Sequence, residues 1–256
     1  MDRLAQAEIQ SLSQLATAVK VFDSVASTNT LAIEYAKTTK NPHGTIFVAD
    51  TQTGGYGRKQ RSFFSPPNHG IYMSIISQAN TPDASLVTIA AAVAVCKAIG
   101  QLCGVFPQIK WVNDLLLLEQ GEYRKICGIL AEMVRAGEQS YVVVGIGVNF
   151  LKYADLPSEL EPIVGAVFDS AHNPPTTTRN SLTAAIIDNI LSDCDYNAIM
   201  EFYRKHSCIL GKKIRVICEK PYFATALAID GSGRLVVENE TGQIITLISG
   251  EVSIAI

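Results

Sequence analysis

The order of predicted elements assigns this 256-residue chain an α+β fold: a mixed, largely antiparallel sheet flanked by helices, followed by a small β-barrel. Strand-like runs over 109–118, 126–134 and 141–149 are separated only by short glycine-containing turns, so an antiparallel meander is the economical topology. Leu86, Ile89, Ala90, Val93 and Ala94 form the apolar stripe of one long helix running to about Cys103. Beyond Gly211, short alternating runs over 214–217, 224–229, 234–237, 244–247 and 252–256 are punctuated by Asp230-Gly-Ser-Gly and Glu240-Thr-Gly, the pattern of a small barrel. The boundary falls near Ile209, dividing the chain into 1–208 and 209–256.

The remaining elements follow in order. Leu4, Ile9, Leu12, Leu15 and Val19 recur at helical spacing and predict one amphipathic helix over 1–20. Ser27-Thr28-Asn29 supplies N-capping oxygens for a second helix carrying Leu31, Ile33, Tyr35 and Ala36. Residues 45–49 and 70–76 read as strands of the same sheet. Pro82 and Asp83 open the long helix, since proline lacks the N–H that a first turn leaves unpaired and an acid favours the positive end of the dipole. Residues 170–180 form a proline- and threonine-rich loop, and 181–206 return to helix.

A hydrophobic share of 48% with 18% charged residues is that of a globular chain, and a formal charge of −3 argues against a general nucleic-acid binder. The start, with its acids and no continuous apolar core, is not a secretory signal, and no apolar run reaches the roughly 18 residues of a membrane span. The six cysteines form no C-x-x-C pair and read as buried reduced thiols. A cytoplasmic protein without a membrane partner is expected.

Three segments carry chemistry. Thr51-Gln-Thr-Gly-Gly-Tyr-Gly-Arg-Lys-Gln-Arg61 places three glycines beside three cations in a stretch without acids from Thr51 to Pro82. Glycine admits close backbone approach, and Arg58, Lys59 and Arg61 add positive field, which suits phosphate or carboxylate. The following Phe63-Phe64 can cover a ligand. The segment is not a dinucleotide fingerprint, because Gln60 stands where a third glycine belongs. Lys110-Trp-Val-Asn-Asp114 holds the only tryptophan: Lys110 can pair with phosphate, Asn113 can read polar edges, and Asp114 can hold Mg²⁺ or take a proton. Lys125 precedes an apolar strand with Gly128, and Gly145-Ile-Gly147-Val-Asn149 ends another with small residues. His43, His69, His172 and His206 are scattered without acidic or thiol partners and read as non-catalytic. Together these segments predict an enzyme that binds a nucleotide and a small acid.

In order, Ser27-Thr28-Asn29, Gln52 with Gly55-Tyr-Gly-Arg-Lys-Gln-Arg61, Lys110-Trp-Val-Asn-Asp114, Lys125-Ile-Cys-Gly-Ile-Leu and Gly145-Ile-Gly-Val-Asn149 resemble the biotin–protein ligases, over roughly Val21 to the C-terminus including Ser249-Gly-Glu-Val-Ser253. Tyr56, Gln60 and Phe63 stand where that family usually has Arg, Gly and Trp, and Val112 replaces a proline. The resemblance implies a class II synthetase-like catalytic domain with a C-terminal SH3-like barrel. It implies that biotin is activated with MgATP as biotinoyl-5′-AMP and passed to a lysine of a biotin carboxyl carrier protein domain. Ser27, Thr28, Asn29, Gln52, Gly55, Tyr56, Gly57, Arg58, Lys125, Gly128 and Gly147 would then bind biotin. Arg58, Lys59, Arg61, Lys110, Trp111, Asn113 and Asn149 would bind the nucleotide. Arg58, Lys125 and Asp114 would be catalytic, with Asp114 as Mg²⁺ ligand or base. A form without a DNA-binding domain is expected, with homodimer formation left open. A lipoate–protein ligase and a non-catalytic biotin-sensing protein are the alternatives.

Overall fold

The computed structural model describes residues 2–79, 84–169, 177–193 and 195–254. Its first sheet has seven strands: β1 (Ala18–Val25), β2 (Thr45–Gln52), β3 (Gly70–Gln78), β4 (Gln108–Lys110), β5 (Asp114–Glu119), β6 (Glu122–Ala136) and β7 (Gln139–Asn149). They lie in the order β1-β2-β3-β7-β6-β5-β4. Only β1 and β2 pair in parallel, and α2 (Thr28–Thr38) provides the crossover that a parallel pair requires. The expected meander is present: β5 and β6 are joined by Gln120-Gly121, both at positive φ, as a two-residue turn matching strand twist demands.

Three expectations need correction. The predicted helix over 1–20 is α1 (Gln6–Leu12) followed by β1. Val19, counted in the helical stripe, instead shares one face of a strand with Val21, and β-branched residues at period two prefer that pleat. The predicted strand over 109–118 is a hairpin, with Lys110 opposite Asp114 across a reversal at 111–113. The helix over 181–206 is two helices, α4 (Arg179–Leu191) and α5 (Tyr196–Lys205). Asp195 caps α5 by accepting from the Asn197 N–H. Pro82, Asp83, most of the 170–180 loop, His172 and Cys194 lie outside the described residues.

Two helical layers bury the sheet. α3 (Ala84–Cys103) packs with α4 and α5 on one face, against Ile71, Met73, Ile75, Val142 and Val144. By length and composition alone α3 could cross a membrane, contrary to the reading of the bare sequence, but most of it is buried here. On the other face α2 seats Ala32 and Ala36 on Phe47, Ile76, Val134 and Val143. α2 covers only part of that face; its N-terminal turn and the strand ends beside it border an open cleft.

The second sheet holds β8 (Lys213–Ile217), β9 (Tyr222–Ile229), β10 (Leu235–Asn239), β11 (Ile244–Leu247) and β12 (Glu251–Ile254), antiparallel in the order β11-β10-β9-β8-β12. Its inward Ile214, Val216, Ala224, Ala226 and Val237 belong to the same apolar cluster as Trp111. The indole N–H of Trp111 donates to the Gly233 carbonyl at 3.0 Å. Of the cysteines, Cys96, Cys127 and Cys208 are buried as expected, whereas Cys218 is exposed.

Candidate active site

One cross-strand row lays the floor of the cleft. Asp114 on β5 faces Gly128 on β6, Gly128 faces Gly147 on β7, and Gly147 faces Tyr72 on β3. Two successive glycines leave the row bare, and the Phe63 ring occupies that space. A Cβ at Gly147 would collide with it, and one at Gly128 would lie 3.1 Å from it. The next row brings Ser74 opposite Gly145, where a Cβ would collide with the Asn29 amide arriving from α2.

Lys125 reaches this floor through a bulge. Period-two alternation would point Lys125 and Gly128 to opposite faces, but the β5–β6 register slips between Leu115 and Leu116, and the extra residue re-aims Lys125. Its Nζ consequently lies 2.7 Å from Asp114 Oδ1, while Lys110 Nζ lies 3.3 Å from Asp114 Oδ2. The Lys125 backbone is clasped by a neighbouring segment, donating to Ile163 O at 2.7 Å and accepting from the Gly165 N–H at 2.9 Å.

At the junction before α2, Ser27 accepts from the Thr30 N–H at 3.4 Å as the N-cap, which fixes Thr28 and Asn29 in the first turn. The Thr28 N–H donates to Gln52 Oε1 at 2.9 Å. Asn29 Oδ1 accepts from the Ser74 hydroxyl at 2.6 Å, and Asn29 Nδ2 donates to Glu132 Oε2 at 2.7 Å. All three residues are buried polar groups with partners, as burial requires.

The glycine loop arches over this floor. Its ends are tied by Gly57 N–H to Arg61 O at 2.8 Å and Phe63 N–H to Gly55 O at 2.9 Å. Arg58 Nη1 donates to Gly250 O at 3.0 Å and to Asn113 Oδ1 at 3.3 Å. Arg61 Nη1 lies 2.7 Å from Glu251 Oε1, with Lys59 Nζ at 3.8 Å from the other oxygen. The loop therefore bridges the first sheet to β12. The cleft measures about 500 Å³, within the usual range for small-molecule sites.

Burial alone would raise the Asp114 carboxyl, but Lys125 and Lys110 outweigh it and hold its pKa below the usual value. A carboxylate so stabilised is a weak base. Both its oxygens already face ammonium groups, and no cluster of three or more His, Cys, Asp or Glu suited to a metal occurs among the described residues. The residues do not fit a resident Mg²⁺.

Every residue expected from the sequence to be catalytic or to bind biotin or nucleotide lines the cleft except Gly55, which is buried behind it against Gln52 and Ser65. Two of them are engaged elsewhere. Asn149 Nδ2 donates to Lys125 O at 3.1 Å and Gly165 O at 3.0 Å, and Trp111 is 2% exposed beneath the second sheet. Sequence reasoning missed Ser74, Glu132 and Glu251 as polar partners of the site. Glu251 stood inside the quoted Ser249-Gly-Glu motif; the other two carried no local signal. His43, His69 and His206 do not line the cleft.

Comparisons with known proteins agree with this arrangement. Residues 21–149 match the biotin/lipoate A/B protein ligase family, and residues 209–254 match the biotin protein ligase C terminal domain. The bifunctional ligase/repressor BirA of Bacillus subtilis (strain 168) is 30% identical over 235 residues, covering 86% of this chain and 69% of its own. The biotin–[acetyl-CoA-carboxylase] ligase of Mycobacterium tuberculosis is 26% identical over 243 residues, covering 91% of this chain and 87% of its own. In fold, the chain is similar to the biotin protein ligase from Aquifex aeolicus in complex with biotin and ATP. That match has a TM-score of 0.77 at 21% identity, covering 93% of this chain and 99% of that one. The chain belongs to the biotin/lipoate A/B protein ligase family.

Proposed function

We propose that this protein is a biotin–protein ligase. It joins the biotin carboxylate to AMP at the expense of MgATP, releasing pyrophosphate, and then passes the acyl group to a carrier lysine with release of AMP. The observation that carries the reading is the convergence of Arg58, Lys110 and Lys125 on a cleft also lined by the polar Thr28, Asn29 and Gln52, with Ser74 buried behind them. One end suits an uncharged ring of donors and acceptors, the other an anion. The C-terminal match to biotin protein ligases favours biotin over lipoate.

The roles follow from charge and geometry. Thr28, Asn29 and Gln52 would pair with the ureido ring, and Ser27 holds their helix start in place. An analogue lacking those polar edges leaves buried groups unpaired, costing about 1–3 kcal/mol each. Phe63 on its Gly128–Gly147 floor would cover the ring and exclude water, as Tyr56 and Gly57 close above. Carboxylate and α-phosphate repel as they meet, and Arg58 and Lys125 offset that charge in a site already organised for it. Lys110 and Asn113 face the nucleotide, with Lys59 and Arg61 adding field at the mouth.

Asp114 holds Lys110 and Lys125 in position rather than binding metal or taking a proton. Trp111 and Asn149 act as supports: the first carries the second sheet, the second braces the Lys125 backbone. Acetyl-CoA carboxylase is the carrier we infer, since the mycobacterial relative is named for it.

Incubation with a biotin carboxyl carrier domain, biotin and MgATP should add one biotin to the carrier, read by intact mass. Labelling with lipoate but not with biotin overturns the assignment.

A further inference from the structure

The geometry points to Glu132 as a positioning residue that couples the closed glycine loop to the ligand-reading amide of Asn29. This rests on the biotin reading above. A single carboxylate oxygen, Glu132 Oε2, accepts from Asn29 Nδ2 at 2.7 Å and from the Tyr56 hydroxyl at 3.0 Å. One donor comes from the first turn of α2, the other from the tip of the loop, and Glu132 itself sits on β6. The Tyr56 phenol also meets the Thr30 side chain in the same turn, so the particular part of Glu132 is to join the loop to the Asn29 amide.

The consequences follow from the donors and acceptors available. Asn29 Oδ1 accepts from Ser74, so the amide is held at both ends and cannot flip without losing two hydrogen bonds. Its remaining N–H is thereby aimed by Glu132. Tyr56 stands where the resembling family usually has arginine, so here a neutral phenol meets the carboxylate. Burial, and then the charge of Glu132, raise the Tyr56 pKa, so the phenol stays protonated and remains a donor through neutral pH. The pair is thus a charge-assisted hydrogen bond, the stronger kind, while lacking the full attraction of an ion pair. The loop is fastened when the amide is correctly oriented, and opening the loop releases one constraint on that amide.

The test uses the full-length protein with Glu132→Gln and Tyr56→Phe, singly and together, reading biotin Kd by calorimetry, steady-state KM and kcat, and melting temperature. Glu132→Gln is expected to raise biotin Kd and KM about ten-fold, the loss of one charged hydrogen bond, with kcat changed far less. Tyr56→Phe should raise Kd by a smaller factor and speed biotin dissociation. In the double variant Kd should match that of Glu132→Gln alone, because both substitutions remove one coupled element. Folded variants that bind biotin as the wild type does overturn the proposal. So do effects that multiply independently, or a fall in kcat at unchanged KM. Tyr56→Phe keeps the test open should Glu132→Gln fail to fold. If the wild type itself binds no biotin, the biotin reading falls, and this proposal with it.

Discussion

Lys125 Nζ lies 2.7 Å from Asp114 Oδ1 because a one-residue bulge turns Lys125 onto the face that carries Gly128. The pairing places a cation at the centre of the cleft in a defined position. It also shows how a lysine that would read as surface in an ordinary strand becomes part of a site.

Removing the cations tests the electrostatic part of the account. Lys125→Ala and Arg58→Ala should each slow adenylate formation about 10²-fold or more in single-turnover measurements, the usual cost of losing one donor to developing charge. Circular dichroism should be unchanged. Arg58→Ala should in addition release free adenylate, because Arg58 also ties the loop to Gly250.

Asp114 links site to stability. Its pKa is lowered in the folded state, so the ion pairs contribute fully above the unfolded carboxyl value of about 3.9 and are lost as pH falls through the lower folded value. Asp114→Asn should abolish that acid-limb dependence and cost roughly 1–3 kcal/mol at neutral pH, measured by urea unfolding across pH. An unaltered pH profile would show that the pairs contribute nothing.

How much of this was legible beforehand varied with the range of the interaction. The N-cap at Ser27, the glycine loop and the Lys110–Asp114 segment are local chemistry, and each lines the cleft. The bare row of Gly128 and Gly147, the bulge at Lys125 and the approach of Glu132 to Asn29 depend on strand register, which no local pattern encodes. β1 was hidden because Leu15 and Val19 happen to extend the helical spacing of Leu12. The break between α4 and α5 did have a signal, since Ser192, Asp193 and Asp195 are all capping residues.

Glu251 tests the contact between the sheets. Glu251→Ala removes the partner of Arg61 and Lys59, and its exposed setting limits the stability loss to about 1 kcal/mol or less. The loop should close less well, seen as stray labelling of bystander lysines with little change in melting temperature. Equal labelling specificity would make the contact incidental.

Arg179 makes a stability prediction away from the chemistry. Its side chain is 1% exposed, pairs with Asp50 at 2.6 Å and Asp2 at 3.1 Å, and donates to Gly70 O at 3.2 Å. It thereby joins the chain just before the glycine loop to the chain just after it. Arg179→Ala removes the guanidinium from Asp2 and from the half-buried Asp50, which keeps the Asn68 N–H, and leaves Gly70 O without this donor, so it should cost about 1–3 kcal/mol in denaturant unfolding.

The central claim is biotin activation, and ATP–pyrophosphate exchange measures that step without a carrier. With the purified protein and MgATP, label should pass from pyrophosphate into ATP when biotin is added and stay at background with lipoate or with no acid. Exchange supported by lipoate and not by biotin, or none with either, would contradict the account.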